Sequence, residues 1–134
     1  MIKFKISGNN YKSNVLPSYN DYIAICRANK WGANAWKHKY QDIIAKQIEE
    51  QCENFYIDEP FRLDLVICEG NKRRDKDNAE SMAKKLILDT LQDTNYVSND
   101  KLYMGGNTTF TYEKNNSYIE VDLYTENWEK ISNK

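Results

Sequence analysis

Asp75 and Asp77 stand one residue apart in the run Lys72-Arg73-Arg74-Asp75-Lys76-Asp77-Asn78. In an extended or turning backbone two carboxylates at that spacing converge on one cation, and hard Mg²⁺ is commonly held by one or two protein carboxylates together with water and substrate phosphate. Lys72, Arg73 and Arg74 beside them would supply charge-assisted contacts to phosphate. The segment also reads as a helix start, with Asp75 or Asp77 accepting backbone N–H bonds as an N-cap and the basic residues in solvent. Further on, Lys85 lies at nearly the same helical angle as Asn78, with Ser81 and Asp89 close to that face, so a polar stripe runs down from the aspartates. Lys84 falls close in phase to Asp77, and the spacing leaves both lysines as candidates for a phosphate-contacting role. Asp100, in Tyr96-Val97-Ser98-Asn99-Asp100-Lys101, offers another carboxylate in the loop that returns the chain.

The elements that must position these residues follow from periodicity. Ile2, Phe4 and Ile6 alternate with Lys3, Lys5 and Ser7, which predicts a half-buried strand ended by Gly8-Asn9-Asn10. Residues 17–22 read as a short polar and aromatic connection. From Ala35 to Ile48 the residues Trp36, Tyr40, Ile43, Ile44 and Ile48 fall at helical spacing, leaving Lys37, Lys39 and Lys46 outside that stripe. Phe61, Leu63, Leu65 and Ile67 alternate after Pro60 as a second strand. Ala79, Met82, Ala83, Leu86, Ile87 and Leu91 recur every three or four residues as a second amphipathic helix. Thr108–Tyr112 and Tyr118–Tyr124, joined by Glu113-Lys114-Asn115-Asn116-Ser117, read as a β-hairpin. The order predicts one α+β domain over residues 1–134, with a mixed β-sheet and two main amphipathic helices packed on it.

Composition narrows the function classes. The chain has 134 residues and a formal net charge of −1, but the charge is segregated. Residues 1–48 carry 8 basic and 2 acidic side chains, residues 49–71 carry 1 and 7, residues 72–85 carry 6 and 3, and residues 86–134 carry 4 and 8. A phosphate-bearing partner responds to the local field of a patch, so near-neutrality does not veto nucleic acid. The apolar runs are only a few residues long and the N-terminus alternates, so neither a membrane span nor a secretion signal is expected. The 3 cysteines, Cys26, Cys52 and Cys68, form no Cys-x-x-Cys pair, and 1 histidine, His38, cannot complete an ordinary zinc site with them. They read as reduced cysteines. Trp31, Trp36 and Tyr40 lie among lysines and admit base stacking, although the stripe that Trp36 and Tyr40 share favours packing.

The runs Arg74-Asp75-Lys76-Asp77-Asn78, Lys85-Leu86-Ile87-Leu88-Asp89-Thr90-Leu91 and Asn99-Asp100 together resemble the core pattern of the RusA family of Holliday junction resolvases, common in phages and prophages. That pattern is D-x-D-N, a K-x-x-x-D-x-L helix and an acidic pair after it. Pro17-Ser18-Tyr19-Asn20-Asp21-Tyr22, followed by Arg27-Ala28-Asn29-Lys30-Trp31 and Ala35-Trp36-Lys37, is similar to the P-S-x-N-x-Y opening of phage members. The resemblance spans residues 17–101. It departs in two places: the interval from Asp77 to Lys85 is longer by about one helical turn than in the best-known branch, and Asn99 stands where the pair usually has its first acid.

The resemblance implies a RusA-like fold and a homodimer that binds four-way branched DNA and cuts two strands symmetrically in recombination and repair. The cofactor would be Mg²⁺, with Mn²⁺ able to substitute, and no nucleotide cofactor or membrane partner is implied. Asp75, Asp77 and Asp100 would be the metal ligands and, with Lys85, the catalytic residues. Lys72, Arg73, Arg74, Asn78 and Lys84 would contact DNA. The setting would be the cytoplasm of a bacterial host. The rival expectation is a non-catalytic junction-binding or adaptor protein in which D-x-D-N is only a helix cap.

Overall fold

The computed structural model describes residues 1–126. Alternation at the N-terminus produces strand β1 (Ile2–Ser7), with Phe4 and Ile6 inward and Lys3 and Lys5 outward. Strand β2 (Phe61–Glu69) and strand β4 (Tyr118–Thr125) follow the same rule, and strand β3 (Thr108–Tyr112) is shorter and less apolar. The sheet order is β1-β4-β2-β3. Register aligns the inward residues in rows across three strands: Ile2, Leu123 and Leu63; Phe4, Val121 and Leu65; Ile6, Ile119 and Ile67. A one-residue slip would turn every one of these side chains to the polar face.

Helices α2 (Lys30–Gln51) and α3 (Lys76–Asp93) bury their apolar stripes with those rows, forming a two-layer α+β domain. Tyr40, Ile44 and Ile48 of α2 are buried, as are Ala79, Met82, Ala83, Leu86, Ile87 and Leu91 of α3, as their periodicity predicts. Among the described residues no helix is long and apolar enough to cross a membrane.

Two expectations need correction. The hairpin does not form: β4 is antiparallel to both β1 and β2, whereas β3 lies parallel to β2 on the other side. Ile119, Val121 and Leu123 are buried between two partners, which is a central strand's environment, while β3 has a single large inward apolar residue, Phe110, and occupies an edge. The turn signal at Glu113–Ser117 is real, with Asn115 at φ 59°. The loop straddles the end of β2, however, through Glu113 N–H to the Glu69 carbonyl and Asn115 N–H to the Gly70 carbonyl.

The second correction is helix α1 (Tyr19–Ala28), where the sequence suggested a connection. It buries no residue fully, and its short stripe of Tyr19, Tyr22, Ile23 and Cys26 at helical spacing went unread in the sequence. What starts it is a capping box: Ser18 accepts from Asp21 N–H while the Asp21 carboxylate accepts from Ser18 N–H at 2.8 Å. Asn29 then ends α1 and caps α2, its Oδ1 accepting from Trp31 and Gly32 N–H, so α2 begins at Lys30 rather than Ala35.

The free edge of β1 is covered by side chains. Gln51 Oε1 accepts from Lys5 N–H at 2.7 Å and Gln51 Nε2 donates to the Lys5 carbonyl at 2.6 Å, and Gln47 repeats the pattern at Ser7. One helical turn apart on α2, the two amides match alternate residues of the strand. Gln51→Ala should cost about 1 kcal/mol, since the groups it releases are exposed and regain water. Thermal denaturation checks this, and an unchanged midpoint would mean the amide pair contributes nothing.

Candidate metal and nucleic-acid site

β2, α3 and β3 form a parallel β-α-β unit, and open sheets of this kind bind ligands beyond the carboxyl ends of their strands. That end of the molecule holds the segment 70–78. It is fixed from below by Gly70, whose N–H donates to Asn14 Oδ1 at 3.0 Å; a Cβ there would come within 1.8 Å of the Ser13 carbonyl oxygen. Only glycine lets the loop after β1 pass this close to the end of β2.

Arg74 is the second anchor. Its Nε and Nη2 donate to the two carboxylate oxygens of Glu69 at 2.9 and 2.8 Å, and its Nη1 donates to the Leu16 carbonyl. With both side chains about 15% exposed or less, this bidentate pair ties the residues before α1 to those before α3. Asp21 lies in the same field. Burial alone would raise its pKa, but the Ser18 hydrogen bonds, the Tyr11 hydroxyl and the Arg74 charge outweigh this and hold it below the usual carboxylate value. Arg74, expected among the DNA contacts, has its guanidinium engaged by Glu69 and the Leu16 carbonyl while it also lines the cavity described below.

Asp75 is the N-cap of α3. Its Oδ1 accepts from Asp77 N–H at 3.2 Å and its Oδ2 from Asn78 Nδ2 at 3.0 Å, so Asn78 orients a carboxylate rather than reaching outward. Both bonds use one lone pair per oxygen, leaving outward-facing acceptor capacity. Asp77, in the first turn, is exposed and its carboxylate has no hydrogen bond or ion pair among the described residues. This donor set, two hard carboxylates two residues apart and open to water, is of the chemical type that suits Mg²⁺ with a mostly water and phosphate shell.

Asp100 is not part of that set within one chain. It opens a 3₁₀ turn (Asp100–Leu102), and its N–H donates to Gln92 Oε1 at 2.7 Å, at the far end of α3. At ~1.5 Å rise per residue the helix separates the two ends by roughly 25 Å. Among the described residues no three His, Cys, Asp or Glu side chains form a group able to hold a metal ion.

The two candidate lysines face different neighbours. Lys85 Nζ lies 3.7 Å from Asp89, whose other partner is Lys37 of α2 at 2.7 Å, and 5.9 Å from the Tyr22 ring centroid. Lys84 pairs with Glu80 at 2.8 Å. Desolvation alone would lower the Lys84 pKa, but its hydrogen bond to Glu80 and the charges of Tyr103 and Glu80 raise it, and Glu80 is lowered chiefly by the same bond. Neither lysine touches Asp75 or Asp77.

Lys72 and Arg73 are exposed, and they border two open cavities. One, about 370 Å³, is lined by Lys72, Lys76, Asn71 and, from β3, Phe110 and Tyr112. The adjoining one, about 450 Å³, adds Arg73, Lys114 and Ser13. The sequence reading missed Lys76, Lys114, Phe110 and Tyr112. The detectable signal was Phe110 and Tyr112 at strand spacing, with Lys76 between the two aspartates; that β3 lies beside β2 had no local signal. Trp36 and Tyr40 pack with Tyr11 in an aromatic cluster, whereas Trp31 stands 84% exposed at the start of α2. No protein-family model matches the chain, and a search of curated proteins finds no match either.

Proposed function

We propose that the protein is a Mg²⁺-dependent structure-specific endodeoxyribonuclease of the RusA type, which resolves four-way DNA junctions as a homodimer. The observation that carries this reading is the placement of Asp75 and Asp77, both exposed at the start of α3, beside a cleft bearing Lys72, Arg73, Lys76 and Lys114. Asp75 and Asp77 would hold the ion, which when bound supplies Lewis-acid stabilisation of the scissile phosphate. Asn78 keeps the Asp75 carboxylate oriented, and the Arg74 clamp keeps the loop rigid, so that little reorganisation remains when charge builds on the phosphate. Lys72, Arg73 and Lys76 draw the DNA backbone to the carboxylates, which would otherwise repel it.

Asp100 joins this site only across a two-fold axis. Two α3 helices laid antiparallel would bring Asp100 of the partner subunit to the Asp77 end, giving two complete sites related as the two cuts of a junction are. The rival reading, an adaptor, draws on the Asp75 cap bonds. A nuclease assay on a fixed four-way junction and a matched duplex, with and without Mg²⁺, separates the two. Paired junction-specific nicks that require Mg²⁺ are expected; binding to junction no tighter than to duplex, with no Mg²⁺ response, would leave D-x-D-N a cap alone.

A further inference from the structure

Phe110 and Tyr112 are two residues apart on β3 and so project from one face of an edge strand. Each has a lysine over its ring: Lys76 Nζ lies 5.7 Å from the Phe110 centroid and Lys72 Nζ 4.8 Å from that of Tyr112. All four side chains line the cavity of about 370 Å³, and Tyr112 remains 44% exposed. The adjoining cavity shares Lys72, Asn71 and Tyr112 with it and adds Arg73 and Lys114, so positive charge continues past the aromatic floor in one direction. Phe110 also packs against the core, but phosphate binding alone needs only the cations and leaves the exposed Tyr112 ring without a role.

We infer that this cleft receives an unpaired nucleobase of a DNA strand, stacked on Tyr112 and Phe110, with Lys72 and Lys76 on its flanking phosphates. A base stacked on an aromatic ring is worth more than an exposed cation–π contact, and each displaced ammonium gains a phosphate partner, so the exchange is favourable. Bases within a duplex cannot reach such a floor because they are already stacked and paired, whereas an unpaired nucleotide can be turned into it. The two adjoining cavities, with cations on both, suit a strand rather than a free base. This deepens the proposed function, on which it rests for the identity of the strand: the nucleotide held here is next to the phosphate presented to Asp75 and Asp77.

The test is binding in EDTA, where cutting is absent, by fluorescence anisotropy with two labelled probes: a blunt duplex and the same duplex carrying an unpaired thymidine bulge. Wild type should prefer the bulged probe, Tyr112→Ala should lose roughly tenfold or more on that probe alone, and Tyr112→Phe should keep the preference, which also reports that the strand still folds. The salt dependence of duplex binding should be unaltered in Tyr112→Ala. Equal loss on both probes, no loss on either, or no wild-type preference for the bulge would each overturn the base pocket. The nuclease reading is judged separately by Mg²⁺-dependent junction cutting: cutting without bulge preference sinks the pocket only, and bulge preference without cutting sinks the nuclease only.

Discussion

Asp77→Asn is expected to reduce Mg²⁺-dependent junction cutting by on the order of a thousandfold or more, because a metal ion supplies several kcal/mol of transition-state stabilisation and each ~1.4 kcal/mol is a factor of ten. The fold should survive, since the Asp77 carboxylate has no described partner and contributes only a helix-dipole term of about 0.3–1 kcal/mol. Asp75→Asn is the sharper control. Asparagine caps a helix about as well as aspartate, so this change removes the charge and keeps the cap. If Asp75→Asn still cuts at the wild-type rate, the residue is a cap and the two-carboxylate site is wrong. Asp100→Asn should also stop cutting, and subunit mixing then locates Asp100. A heterodimer of Asp77→Asn and Asp100→Asn subunits has one site carrying both changes and one carrying neither if sites are shared across the axis, so single nicks return. With sites confined to one subunit, every site is defective and no nicks return.

Arg74→Ala should be the most damaging single change to stability outside the core. It strands the Glu69 carboxylate, about as buried as its partner, and removes a donor from the Leu16 carbonyl. Breaking such a pair from one side costs roughly 3 kcal/mol, which for a domain of this size lowers the melting midpoint by about 10 °C. Arg74→Lys should recover only part of this, because an ammonium cannot reproduce the two-pronged contact. The salt dependence of DNA binding distinguishes the clamp from a phosphate contact. Lys72→Ala should lower the slope by about one counterion, and Arg74→Ala should leave it as it is. An unshifted midpoint together with a reduced slope would restore Arg74 to the DNA surface.

What could be read from the chain was what is encoded locally. The stripes of α2 and α3 and the alternation of β1, β2 and β4 identified the core contributed by those elements, but not Val15, Leu16, Ile57 and Val97, which enter it from connections without periodicity. Helix α1 was legible too, through the Ser18–Asp21 capping box and the Tyr19, Tyr22, Ile23 and Cys26 stripe, but its polar and aromatic start reads as a connection. The hairpin failed because a turn between two strands specifies where the chain reverses, not whether a third strand lies between its arms. In the site, spacing placed Asp75, Asp77 and Asn78 at the start of α3, where Asp75 accepts from Asp77 N–H and from the Asn78 side chain. Arg74 reads as free, and the resemblance puts Asp100 at the metal; the Glu69 contact, five residues back across a loop, and the length of α3 both exceed what local pattern expresses.

The glutamine cover on β1 bears on how many copies can join. A sheet normally has two growing ends, and a chain with both ends open can add neighbours without limit. Here Gln47 and Gln51 occupy the main-chain groups at one end, while β3 at the other end has no strand on its outer side among the described residues. The two edges therefore differ: at Lys5 and Ser7 the β1 edge offers no free main-chain groups to a further strand, whereas β3 ends the sheet with no such cover among the described residues.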